Sequence, residues 1–229
     1  MLNAVLLLLA AEAAVPAVDL YRVSRLAKDQ IFAPETFFAE NGDDDILTAR
    51  FLGRDGIYPN YAIAVRYGAC VANGSGGCDH RLDIRMLRHK GAPGPFDKAV
   101  AFLGRMARAK VRNAAGAKRF ARQDKGLEWL ATNTTACSGT FEAIEAVRKT
   151  TWTPPSDHHL RADEADEVDI WVHVPFYELA MGDLYERVTY RGPPYTNRPS
   201  GALDALIDKL EPCWKPGPSE RPWSRDAKR

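Results

Sequence analysis

The chain has 229 residues, 45% of them hydrophobic and 27% charged, and its 31 Lys and Arg stand against 30 Asp and Glu for a formal net charge of +1. This balance excludes a disordered or collagen-like chain and fits one ordinary globular domain. It also leaves no bulk field to gather nucleic acid or anionic lipid, so any such binding has to be local.

Leu2, Ala4, Val5, Leu6, Leu7, Leu8, Leu9, Ala10 and Ala11 form an apolar run broken only by Asn3. The run is shorter than the roughly 20 residues of a bilayer-spanning helix. Glu12 ends it, and Val15, Pro16 and Ala17 offer the small residues of a signal-peptidase site, so residues 1–17 are expected to be a secretory signal peptide, with the mature chain starting near Val18. The competing reading is an ordinary apolar first helix, because no Lys or Arg precedes the run. No later stretch is apolar enough for a membrane span. The expected location is periplasmic or secreted.

Residues 46–52 read as a short strand after the turn-forming Asn41, Gly42 and Asp43. Tyr61, Ile63, Val65 and Tyr67 then alternate with Ala62, Ala64, Arg66 and Gly68, and Leu82, Ile84 and Met86 alternate with Asp83 and Arg85. Such alternation predicts a hairpin with one buried face and one wet face. Beyond Pro93, Gly94 and Pro95, residues 96–112 show a helical stripe of Phe96, Val100, Leu103, Ala107 and Val111, with Asp97 as a cap and Arg105, Arg108 and Arg112 on the opposite side. A second helix is expected over 118–131. Ser138 or Thr140 can cap a third, in which Glu142 and Glu145 come early and Arg148 and Lys149 late, matching the helix dipole.

Val168, Ile170, Val172 and Val174 alternate as a strand, and residues 184–191 can return beside it around Met181, Gly182 and Asp183. Leu203, Leu206, Ile207 and Leu210 form the apolar face of a last helix, set behind Ser200 and stopped by Pro212. From Trp214 onward Pro, Gly, Ser and charge dominate, so 214–229 is expected to be a flexible C-terminal tail. The sum is a single α+β domain over 18–213, an antiparallel sheet of two hairpins with about four packed helices, stapled by disulfides.

Cys70, Cys78, Cys137 and Cys213 make an even set with three pairings open to it. A bridge from Cys70 to Cys78 would close the Gly-rich loop between the two alternating runs and leave Cys137 for Cys213. No C-x-x-C pair is present, which argues against structural zinc.

Three groups could carry chemistry. Cys137 stands immediately before a helix start, where the dipole lowers a thiol's pKa, and His158, His159 or His173 could act as its base. The alternative, a structural half-cystine, is favoured because no nucleophile signature surrounds Cys137. Residues 157–169 collect carboxylates beside His158 and His159, but the run has no Gly to turn a calcium loop and reads as a solvated acidic segment. Neither metal nor cofactor is expected. The basic face of Arg105, Arg108 and Arg112 could meet the carboxylates of a protein partner, whereas export would remove nucleic acid. The expected function is an exported, non-enzymatic binding or structural module; the alternative is a cysteine hydrolase using Cys137 with a His base.

Overall fold

A computed structural model describes residues 17–38, 45–72, 78–91, 96–150, 175–182, 187–192 and 199–224. The expected signal peptide, the acidic run with His158 and His159, the strand at 168–174 and His173 lie outside the described residues. So do the side chains of Cys70 and Cys78, and with them the local bridge.

The strands are β1 (Asp45–Gly53), β2 (Tyr58–Ala72), β3 (Cys78–His89), β4 (Leu127–Asn133), β5 (Phe176–Gly182), β6 (Arg187–Gly192) and β7 (Lys215–Pro216). They form one antiparallel sheet in the order β6-β5-β1-β2-β3-β4-β7. The helices are α1 (Ala17–Gln30), the single turn α2 (Arg54–Ile57), α3 (Phe96–Arg108), α4 (Ala114–Gln123), α5 (Thr140–Lys149) and α6 (Pro199–Leu210). The fold is therefore α+β, with the β2–β3 hairpin as expected and a second hairpin, β5–β6, whose first arm is Phe176–Gly182, so that Met181 and Gly182, expected at its turn, pair with Val188 and Arg187 within the strands.

The alternation in β2 places the residues as expected, but the second face is not wet. Tyr61, Ile63 and Val65 enter a core with Ile144 and Val147 of α5 and Leu203, Leu206, Ile207 and Leu210 of α6. Ala62 and Ala64 on the other face are equally buried, in a second core with Val23 and Ala27 of α1, Phe102, Leu103 and Met106 of α3, and Ala117 and Ala121 of α4. The sheet is thus covered on both sides at its centre. Alanine carries little hydrophobic signal, yet its small side chain lets helices lie close to the strands.

Three helix boundaries differ from expectation. α3 stops at Arg108 because Lys110 takes a left-handed conformation (φ 52°), and the amides of Lys110 and Val111 turn back to the carbonyls of Ala107 and Met106 at 2.9 and 3.1 Å, the pattern of a Schellman cap. Its buried stripe is Ala99, Phe102, Leu103 and Met106, with Val100 and Ala107 only half-buried. The rotation follows the larger residues, since Phe102 packs edge-on against Phe32 and Phe120. Leu103→Ala is accordingly expected to cost about 2–5 kcal/mol and Arg108→Ala, at an exposed site, less than about 0.5, both read from denaturant midpoints.

α4 begins earlier than expected, where Asn113 Oδ1 accepts the Gly116 amide at 2.9 Å, and it ends at Gln123. The rest of the expected helix is β4, with Leu127 and Trp129 facing the α3 side. At the start of α5, Gly139 in the left-handed conformation (φ 71°) occupies the N-cap, with no side-chain bond from either Ser138 or Thr140.

The tail expectation is corrected over 214–224. Lys215 and Pro216 add a strand to the edge of β4, the Gly217 amide donates to the Trp129 carbonyl at 2.8 Å, and Trp223 is fully buried. One large aromatic anchors a segment whose Pro, Gly and charge content suggests no structure.

His89 closes the second core. Its ring lies 5.3 Å from Phe32 and 5.2 Å from Phe102, and Nε2 stands 2.9 Å from the Pro59 carbonyl oxygen, which makes it the protonated nitrogen of a neutral imidazole. Burial pushes its pKa below the usual histidine value; the Pro59 carbonyl and Asp124 act in the opposite direction, while Arg105 and Lys98 reinforce it. The unfolded chain then takes up a proton that the folded chain refuses. Stability is fully present above about pH 6.5 and falls as pH drops below it. His89→Gln should remove part of that slope in melts between about pH 7 and 5.

Candidate functional site

Cys137, 4% exposed in the loop before α5, has its Sγ 2.09 Å from the Sγ of Cys213, and neither is a free thiol. A half-cystine has no thiolate to attack with. The sequence places the pair apart; α6 brings them together by docking Leu203, Leu206, Ile207 and Leu210 on the sheet, which delivers Cys213 to the start of α5.

The basic face is divided by the fold. Arg105 donates to Asp124 Oδ2 from Nε at 3.1 Å and from Nη2 at 2.8 Å, and the Asp124 side chain is only 5% exposed. Arg108 is exposed in the last turn of α3, and Arg112 is exposed beyond the helix end. Arg105 is therefore tied to a buried carboxylate while its side chain stays 41% exposed, and Arg108 and Arg112 carry no such tie among the described residues.

Among the described residues, a dense set of ionisable groups lies across the sheet on the α6 side, away from the three groups the sequence singles out. Cross-strand pairing sets Tyr177, Phe51, Tyr61, Arg88 and Glu128 side by side on β5, β1, β2, β3 and β4. Above them, Asp204 and Asp208 are four apart on α6 and Glu211 follows three later, so all three carboxylates fall on one side of the helix. The Phe51 ring stands 5.5 Å from that of Tyr61 and 4.8 Å from that of Tyr177. The Tyr177 hydroxyl donates to Asp204 Oδ1. Arg88, almost fully buried, donates from Nε to Glu128 Oε2 at 3.0 Å and from Nη1 to Glu211 Oε2 at 2.6 Å.

Burial pushes both phenols above the usual tyrosine range, with the nearby Asp204 adding to the effect. Tyr177 serves as a hydrogen-bond donor and not as a phenolate nucleophile, while the buried Tyr61 hydroxyl has no hydrogen-bond partner among the described residues. Burial also raises Asp204, partly opposed by the Tyr177 hydroxyl. Burial alone would lower the pKa of Arg88, but its bonds to Glu211 and Glu128 outweigh that and keep the guanidinium charged. Chemically, the row grips α6 at two points by charge-assisted bonds. A signal for it exists in the sequence, the spacing of Asp204, Asp208 and Glu211 beside the apolar stripe, but their sheet partners are scattered over more than half the chain.

A cleft of about 370 Å³ opens elsewhere, lined in part by Asp83, Arg85, Asn133, Lys215 and Pro218. Its polar groups are mostly engaged: Asp83 pairs with Arg81 at 2.9 Å, Asn133 Oδ1 accepts the Ala136 amide at 2.8 Å, and Arg85 donates to the Phe37 carbonyl at 2.5 Å. Among the described residues, no group of three or more His, Cys, Asp or Glu could hold a metal ion, and no helix is long and apolar enough to cross a membrane. Comparison with protein-family models, with curated proteins and with solved structures returns no match.

Proposed function

We propose that the protein is an exported binding or structural module whose fold is locked by the Cys137–Cys213 bridge. The observation that carries this reading is that bridge: the thiol placed before a helix start to act as a nucleophile is joined to the segment that follows α6, and the ionisable row on the sheet holds the same segment through Asp204 and Glu211. A bridge persists in oxidising compartments, which agrees with the apolar run and the Val15, Pro16, Ala17 site at the amino terminus.

The test uses protein recovered from its native compartment. Amino-terminal sequencing is expected to begin near Val18, and non-reducing peptide mapping to join Cys137 to Cys213, with neither alkylated before reduction. A full-length cytoplasmic chain with a rapidly alkylated Cys137 would overturn the reading and favour the cysteine hydrolase.

A further inference from the structure

The opposite face of the sheet carries a group of cations that the carboxylates among the described residues do not balance. Arg50 of β1, Glu178 of β5 and Arg191 of β6 stand in one cross-strand row, and Arg50 pairs in register with Ala62, which marks this as the α1 side. Glu178 serves both guanidiniums, Oε2 lying 3.1 Å from Arg50 Nη2 and Oε1 lying 3.5 Å from Arg191 Nε. Lys28, in the last turn of α1, is half-buried beside them. Its ammonium donates to the Gly56 carbonyl at 3.2 Å and has no carboxylate within ion-pair distance among the described residues. Burial lowers its pKa, and Arg50 and Arg191 act in the same direction against Glu178.

Among the described side chains, three cations around one carboxylate leave two positive charges. The carboxyl end of α1 contributes about half a negative charge, which Arg50 Nη1 already engages through the Lys28 carbonyl at 3.2 Å. Asp29 is exposed and faces Arg25 at 3.6 Å. More than one positive charge therefore remains, on a half-buried ammonium with two N–H groups to spare and on the Arg191 guanidinium, whose side chain is 67% exposed. Gly56, at φ 68°, places no side chain in the space 3.8 Å from Arg191 Nη2. A carboxylate would neutralise only part of the excess. A phosphate group, carrying about −1.5 to −2 at pH 7 with three acceptor oxygens, matches both its size and its donors.

We infer that Lys28 and Arg191, with Arg50 behind them, form a binding site for a phosphate group, as the free ion or as the end of a phosphate monoester. The inference depends on neither export nor the bridge, and it is measured on the purified full chain whichever way those tests fall. Thermal melts at constant ionic strength would be titrated with inorganic phosphate, glycerol phosphate, acetate and chloride. Phosphate is expected to raise the melting temperature saturably, and acetate and chloride are not. A response to glycerol phosphate as well assigns the site to the end of a larger ligand, and a response to inorganic phosphate alone assigns it to the free ion.

Lys28→Met and Arg191→Met should each weaken the phosphate response at least tenfold, while the exposed control Arg108→Gln leaves it unchanged. Lys28→Met gives up one bond to the Gly56 carbonyl but removes an ammonium without an ion pair among the described residues from beside two guanidiniums, so without phosphate it should melt no lower than the parent. That combination separates a ligand site from a structural role. Equal stabilisation by chloride, no stabilisation by phosphate, or an unchanged phosphate affinity in Lys28→Met would each overturn the inference.

Discussion

Cys213→Ser is expected to destabilise the folded chain by about 2–5 kcal/mol and to open α6 to proteolysis. The bridge spans a sequence separation of 76 residues, for which the loss of loop-closure entropy from the unfolded chain amounts to about 4.5 kcal/mol. Strain and residual structure in the unfolded state reduce such values, hence the range. In the variant α6 still has its four buried aliphatic side chains, the Tyr177–Asp204 bond and the Arg88–Glu211 pair, so it should remain docked at equilibrium. What changes is the free energy of opening it, because the segment no longer has a covalent tie at its end. Cleavage within residues 199–213 should therefore quicken before global unfolding is detectable. Reductant should do the same to the parent chain, and a midpoint shift worth less than about 0.5 kcal/mol in both experiments would mean that the bridge is not part of the native protein.

The second large effect is expected at Trp223. Its ring is fully buried, stands edge-on 6.2 Å from that of Trp129, and its carbonyl accepts from Arg122 Nε at 3.1 Å. Trp223→Ala should cost about 3–5 kcal/mol through lost burial and the cavity left behind. Trp223→Phe keeps an aromatic ring and removes a buried indole N–H that has no partner among the described residues, so it should cost less than about 1.5 kcal/mol. Ending the chain after Trp214 should match or exceed the alanine variant, since it also strips Pro216 and Gly217 from the edge of β4. A flexible tail would tolerate all three changes, and urea titrations of the set decide between the two pictures.

How far the sequence was legible depends on how each element stores its information. The β2–β3 hairpin and α6 carry theirs locally, in period-two alternation over 61–67 and 82–86 and in offsets of three and four over 203–210, and both fold as the pattern predicts. The Cys137–Cys213 pair followed from elimination combined with the need to bury that last stripe. β4 was hidden because a short run that sends Leu127 and Trp129 into one core and Leu130 toward the other offers too little alternation to override the helical reading of the residues before it. Two-sided burial was hidden because Ala62 and Ala64 look neutral in a hydrophobic pattern. The row from Tyr177 to Glu128 and the cations around Glu178 were invisible for a different reason: each assembles from five or four separate elements, and no window of sequence contains more than a fragment of either.

The strand order has a consequence for how the molecule reaches its folded state. β1 lies between β2, which follows it directly, and β5, which is synthesised only after four-fifths of the chain up to its end has been made; Leu47 faces Met181 across that seam. A nascent chain that has produced β1 to β4 holds a sheet with β1 as an unguarded edge and with the α6 side of its apolar surface uncovered. Pairing across such a distance is slow, since the intervening loop must be closed before any contact rewards it. Completion therefore waits on the carboxyl-terminal part of the chain, and a partly made chain offers that exposed edge to other chains or to a holding factor until β5 arrives.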